Sequence, residues 1–224
     1  MTIQQGIWKI GDQPQKLRAK KLENELQLEN QIFKDISILN QDWMLIGRQV
    51  FTGFGKYIDL LAVDASGSVM IIELKRDKTP RDVVAQTLDY ASWVVDLSET
   101  ELIEIYSTFV KQYHLPDQSL DKAFLNKFGV SIEGIDLNSS HQMFIVASKL
   151  DLSTERIIRY LNDHAGIGIN AVFFHAFEDQ NNLYLSRAWM IDPTDTQEKA
   201  VSVGEKSDWN KEFYVSFGHC GRRN

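Results

Sequence analysis

Cysteine occurs once in the 224 residues, at Cys220 near the chain end. One thiol builds no internal disulfide and has no partner at metal-site spacing, so neither a disulfide scaffold nor a zinc or redox centre is expected, in keeping with a reducing compartment. Long apolar runs are missing too. AVFFHAF and HQMFIVA fall far short of the roughly 18 residues a membrane crossing requires, and MTIQQGIWKIGDQPQ lacks the basic-then-apolar pattern of a secretion signal. A cytoplasmic protein without membrane contact is expected. Positive charge is in deficit: a formal net charge of −7 excludes a protein that coats itself in nucleic acid and leaves any such contact to local clusters. His114, His141, His164, His175 and His219 show no metal-ligand spacing. Ser139-Ser140-His141 lacks the context of a nucleophile elbow, and neither GVSIEGI nor AGIGI forms a phosphate-binding glycine loop. No small-molecule cofactor is expected.

What is present is an ordinary globular composition, 43% hydrophobic and 25% charged, enough for one large domain or two small ones. Basic residues gather at Lys16, Arg18, Lys20 and Lys21, at Lys75, Arg76, Lys78 and Arg81, and at Arg222 and Arg223. Along residues 18–34, Leu22, Leu26, Glu29, Ile32 and Phe33 recur at helical spacing. WMLIGRQVFT, YIDLLAVDA and SVMIIELK read as strands. A helix follows from TPRDVVAQ, where Thr79 is placed to cap, Pro80 to take the first helical position and Asp82 to complete the first turn. ELIEIYSTFVKQY, LDKAFLNKF and STERIIRYLNDH read as helices; HQMFIVASKL, AVFFHAF and NLYLSRAWMI read as strands. Phe173, Phe174 and Phe177 are expected in the core. The mixed order points to an α/β fold.

Charge interrupts two of the apolar strands, at Asp59 in YIDLLAVDA and at Glu73 and Lys75 in SVMIIELK. Ala65-Ser66-Gly67 between them reads as a three-residue hairpin loop, with Gly67 supplying the positive φ. Folding about Ser66 sets position 63 opposite 69 and Asp59 opposite Glu73, bringing two like charges within about 5 Å between Cβ atoms. A divalent cation would offset that repulsion, since hard ions such as Mg²⁺ take oxygen ligands from one or two carboxylates, water and phosphate. Glu73 and Lys75 share one face of their strand because side chains alternate. Glu-x-Lys alone is an ordinary exposed-strand pattern; within apolar strands, where an unpaired charge is expensive, it points to a site.

Asp59, Glu73-Leu74-Lys75, a preceding helix bearing glutamate, and a following helix carrying Gln86 and Tyr90 resemble the PD-(D/E)XK nuclease superfamily. The stretch GRQVFTGFGKYIDLLAVDASGSVMIIELKRDKTPRDVVAQTLDYASWV is similar to the catalytic domain of NucS-like endonucleases, over residues 22 to 95. The resemblance implies a restriction-endonuclease-like core, a central mixed β-sheet flanked by helices, and metal-dependent hydrolysis of DNA phosphodiester bonds in repair or defence. Under it Asp59, Glu73 and the Leu74 carbonyl would be Mg²⁺ or Mn²⁺ ligands. Lys75 would position or activate the attacking water and steady the growing phosphate charge. Gln86 would match the glutamine of the helix after the Glu-x-Lys strand, with Tyr90 supporting it one turn on. Glu25 and Glu29 both stand as the helix-one glutamate. DNA is the implied partner, and cutting both strands of a duplex would suit a homodimer. Arg48, Lys56, Arg76, Lys78 and Arg81 are candidate contacts to the DNA. Tyr57 stands where relatives favour an arginine just before the Ile-Asp pair, a departure from the pattern at one expected phosphate contact.

The expected organisation is a lead-in over 1–17, a nuclease-like domain over 18–192, and a linker with the shortened start of a further domain over 193–224, where Trp209 to Gly218 resembles the opening of such a domain. The competing expectation is a module on the same fold that binds DNA or protein without cutting.

Overall fold

The computed structural model describes residues 5–22, 24–79 and 81–196, the side chains of 76–79 excepted. Two short strands, β1 (Trp8–Lys9) and β2 (Gln15–Lys16), pair with each other. The main sheet holds β3 (Arg18–Lys20), β4 (Trp43–Phe51), β5 (Tyr57–Asp64), β6 (Val69–Thr79), β7 (His141–Leu150), β8 (Ile169–Asp179) and β9 (Asn182–Trp189). Its order is β3-β8-β7-β6-β5-β4, with β9 also on β8. Antiparallel β4-β5-β6 is a meander, and β6-β7-β8 is parallel, so the sheet is mixed. Parallel neighbours need crossovers. Three helices, α2 (Asp82–Val94), α3 (Glu99–Gln112) and α4 (Leu120–Phe128), lie between β6 and β7, and α5 (Leu152–His164) lies between β7 and β8.

Both faces of the sheet are covered, so the central strands run apolar almost without alternation: Ile71 and Ile72 are each fully buried. Leu61, Val63, Val69 and Ile71 pack with α2, α3, α4 and α5, whereas Leu60, Ala62, Met70, Ile72 and Leu74 pack with α1 (Glu25–Lys34) through Leu28 and Ile32. The β5–β6 register is Leu60–Ile72, Leu61–Ile71, Ala62–Met70 and Val63–Val69, as the sequence predicts. Gly67 has φ +84°, and a Cβ there would meet the Ile135 Cγ2 at 2.6 Å, so the turn accepts only glycine. Phe173, Phe174 and Phe177 are all buried.

Two local expectations fail. The first helix does not begin near residue 18: Arg18–Lys20 pairs with Glu178–Ala176 of β8, and Lys20 Nζ meets Glu178 Oε1 at 2.5 Å. The helix starts at Glu25 because Asn24 Oδ1 accepts the Gln27 N–H at 2.8 Å, and Leu26, expected on its apolar face, is exposed. Thr79 does not cap α2 either. It lies in β6 opposite Leu150, and Arg81 precedes the helix with no side-chain cap bond. Pro80, the Trp209–Gly218 stretch and Cys220 fall outside the described residues. Among the described residues, no helix is long and apolar enough to cross a membrane.

Candidate functional site

The β5–β6 pairing ends at Leu60–Ile72, one step before Asp59 and Glu73. There the Asp59 carboxylate takes over the strand's bonding, its Oδ2 accepting the Leu74 amide at 2.8 Å. Glu73 is 1% exposed. Its Oε1 accepts from Lys75 Nζ at 2.5 Å and from Gln86 Nε2 at 2.7 Å. Its Oε2 is buried and accepts no hydrogen bond. The second hydrogen of the Gln86 amide goes to Tyr90 Oη at 2.7 Å, and the Tyr90 hydroxyl donates to the Tyr57 carbonyl at 2.9 Å. An amide group carries two donors. Here both are used, and α2 is tied to β5 and β6 through them.

The electrostatics follow from crowding two carboxylates into a dry place. Burial pushes the Asp59 carboxyl above its ordinary range, against the Leu74 and Gln49 hydrogen bonds that lower it. For Glu73, burial and then the Asp59 charge push the carboxyl up to about 7, with Lys75 opposing them. Burial pulls Lys75 down, but the hydrogen bond and charge of Glu73 outweigh it and leave the ammonium above its usual value. Burial likewise raises Tyr90. The cluster holds more negative charge than its own lysine balances comfortably.

The two helix-one glutamates part company. Glu29 is buried, and its Oε1 accepts from Arg48 Nε at 2.7 Å. Glu25 is exposed, and it borders a groove of about 480 Å³ that Lys75, Lys20, Lys21 and Lys149 also line. Arg48 is not presented as the expected phosphate contact. Its guanidinium also donates to Asn30 Oδ1 at 2.7 Å and lies 4.7 Å from the Phe33 ring centroid and 5.1 Å from that of Tyr113, with only 9% of the side chain exposed. Held against both rings and bonded to Glu29 and Asn30, it ties α1 to β4. Lys56 is exposed and pairs with the exposed Asp89 at 3.4 Å. Arg81 is exposed, and the side chains of Arg76 and Lys78 lie outside the described residues.

One residue of the cluster escapes the sequence reading. Gln49 Nε2 donates to Asp59 Oδ1 at 3.0 Å and stands 3.4 Å from Glu29 Oε2. Its φ is +51°, rare for a non-glycine residue, and β4 shifts register between Leu45 and Gly47 just before it. A bulge re-aims the side chains that follow. The one signal available was its place in GRQV, as the seventh residue of β4.

An α/β domain with a mixed sheet, in which a buried and a half-buried carboxylate, a lysine and two glutamines meet where the meander joins the parallel strands, is the class of protein seen here. Residues 23–105, from α1 into α3, match the family described as the endonuclease NucS C-terminal domain. Two solved structures also align. One, the crystal structure of a repair endonuclease from Pyrococcus abyssi, is 17% identical over 68% of this chain and 47% of its own, with a TM-score of 0.38. The other, a structure of an EndoMS–dsDNA2 complex, is 15% identical over 75% of this chain and 64% of its own, also at 0.38. The chain thus spans less than two thirds of either, and the fold rests on the sheet topology rather than on these likenesses. No curated protein matches the chain.

Proposed function

We propose that the chain is a divalent-metal-dependent endonuclease that hydrolyses DNA phosphodiester bonds in repair or defence, with Asp59 and Glu73 holding Mg²⁺ or Mn²⁺. The carrying observation is the Glu73 carboxylate: its Oε2 is buried without a hydrogen bond, and a neighbouring carboxylate helps push its proton affinity up to about 7. A buried acceptor with no donor, beside a like charge, is costly without a cation. The donor set fits a hard ion. Two carboxylates and the Leu74 carbonyl, completed by water and phosphate, are the oxygen ligands such an ion takes.

When bound, such an ion would polarise a phosphoryl oxygen and make water a stronger nucleophile. The chain's own residues do the rest. Lys75 has three donors, of which one is spent on Glu73, so the others can hold a water or a phosphate oxygen where negative charge grows. Gln86 and Tyr90 fix the Glu73 carboxylate in orientation. Gln49 and the Leu74 amide do the same for Asp59. The Lys56–Asp89 pair, exposed on both sides, is weak enough for a phosphate to displace, and Arg81 is free of any such buried commitment.

The test is incubation with plasmid and with mismatched or branched duplexes, with and without Mg²⁺ or Mn²⁺. Cleavage that needs the metal and is lost in Asp59→Ala and Lys75→Ala is expected. A parent protein that cuts nothing, or variants that cut as well as it does, would overturn the proposal in favour of a binding module.

A further inference from the structure

Strand β4 closes one edge of the main sheet: among the described residues it pairs with β5 alone. Its nine residues, WMLIGRQVF, include neither lysine nor proline, two devices that blunt an open edge. Its one charged residue, Arg48, is turned against Glu29 and the Phe33 and Tyr113 rings. A cleft of about 630 Å³ runs beside the strand, and Gly47, Arg48, Gln49, Val50 and Phe51 all border it. Side chains alternate between the two faces of a strand, so five consecutive lining residues mean that the cleft follows the edge of β4 rather than one face.

The facing wall is one side of α3. Glu101, Glu104, Ile105, Thr108, Phe109 and Gln112 line it, spaced three and four apart as one face of a helix requires. Trp93 and Leu97 add apolar surface. An open strand edge facing a helix across a groove takes up an extended peptide: main-chain hydrogen bonds to the strand give affinity, and alternate side chains read the groove. The charge on the wall selects the occupant. Glu101 and Glu104 are both exposed, and hydrogen bonds from Ser98 hold the Glu101 carboxyl below its ordinary range. Arg48, the one cation among the lining residues, is already paired with Glu29. Such a wall repels phosphates, and it repels a second copy of this chain, which brings the same glutamates and a net charge of −7. It attracts a lysine or arginine, whose stem can lie on Ile105 while its head reaches a carboxylate.

We propose that the cleft between β4 and α3 binds an extended segment of a partner protein, one that carries apolar side chains for the floor and lysine or arginine for the acidic wall. The register shift between Leu45 and Gly47 bends the strand there and confines the contact to Gly47–Phe51, roughly 17 Å of edge. The inference does not rest on the nuclease reading, and its test needs neither metal nor DNA.

The test uses the full chain in EDTA, with a fluorescein-labelled peptide of alternating valine and lysine as the probe and its valine–glutamate counterpart as the control. Fluorescence anisotropy should show binding of the basic probe and not of the acidic one, and amide exchange over residues 47–51 should slow when the basic probe is bound. The Glu101→Gln, Glu104→Lys double variant should bind it ~10-fold more weakly or worse, because a like charge now meets the probe. Its melting midpoint should not change, since glutamine also serves in the capping box with Ser98. A parent that binds neither probe, or both equally, overturns the proposal. So does a bound probe that leaves exchange over 47–51 as it was, or a double variant that binds like the parent. Light scattering that finds a dimer whose 47–51 amides are protected before any probe is added overturns it too, and gives the cleft to a second copy of the chain.

Discussion

Gln49 Nε2 donates to Asp59 Oδ1 at 3.0 Å from a backbone whose φ is +51°. A left-handed glutamine inside a strand costs on the order of 1 kcal/mol, and the strain buys the placement of one amide between Asp59 and Glu29. Strain at such a point is a sign of function rather than of stability. Gln49→Gly should therefore separate the two: its melting midpoint stays level or rises because the conformation is now free, while metal-dependent cleavage falls ~10- to 100-fold through loss of a hydrogen bond to a charged group. Thermal denaturation beside plasmid cleavage checks it, and a variant that loses stability in step with activity would show Gln49 to be a structural residue only.

Glu73 titrates about 7 in the fold against an ordinary 4.5. Between those values the folded protein holds a proton that the unfolded chain has released, so stability falls as pH rises through that window. Its contribution is fully present below pH ~4.5 and lost above pH ~7, a difference of roughly 3 kcal/mol at about 1.4 kcal/mol per pH unit. Metal-free Glu73→Gln should lose that slope in denaturant titrations run between pH 5 and 8. Cleavage should run the other way, rising with pH as the carboxylate ionises and can hold a cation. A Glu73→Gln protein with the parent's pH slope would remove Glu73 as the titrating group.

The convergence of Asp59, Glu73 and Lys75 was legible because its causes are local: apolar residues at 60–63 and 69–72, a glycine at the turn, and charges at positions that the register brings together. The start of α1 was not, since Arg18–Lys20 becomes a strand only through β8, more than 150 residues on. Thr79 was drawn out of the α2 cap by β7 in the same way. Gln49 is silent in the sequence because its role depends on a bulge and a positive φ, neither of which a glutamine announces. Arg48 misled because Phe33 and Tyr113, which enclose it, come from α1 and the end of α3.

Lys75 couples to Glu73 by both hydrogen bond and charge, so removing it has two consequences of different kind. Lys75→Met takes away the ammonium and lets the Glu73 proton affinity climb further. Raising the pH then restores an ionised Glu73 without restoring the positive charge at the phosphate. Cleavage by Lys75→Met should stay ~100- to 10,000-fold below the parent even at pH 9, whereas Mn²⁺ affinity, followed by titration, recovers as the pH rises. Full recovery of cleavage at high pH would reduce Lys75 to a partner that merely keeps Glu73 ionised.

Arg48 and Glu29 form a buried pair, with side chains 9% and 8% exposed and Nε 2.7 Å from Oε1. Breaking such a pair leaves a charge without a partner and costs about 3 to 5 kcal/mol, which for a chain of this size is a drop in melting midpoint on the order of 10 °C. Arg48→Met should show that drop. Arg48→Lys should recover little of it, because a lysine cannot reach Glu29 and Asn30 together or lie flat between Phe33 and Tyr113. Arg48→Met with Glu29→Leu should recover most of it, since neither charge is then stranded. DNA affinity offers the contrast: Arg81→Ala should reduce the salt dependence of binding by about one phosphate contact, and Arg48→Met, in the fraction that remains folded, should leave it where it was. A large loss of salt dependence on changing Arg48 would return it to the phosphate-binding surface.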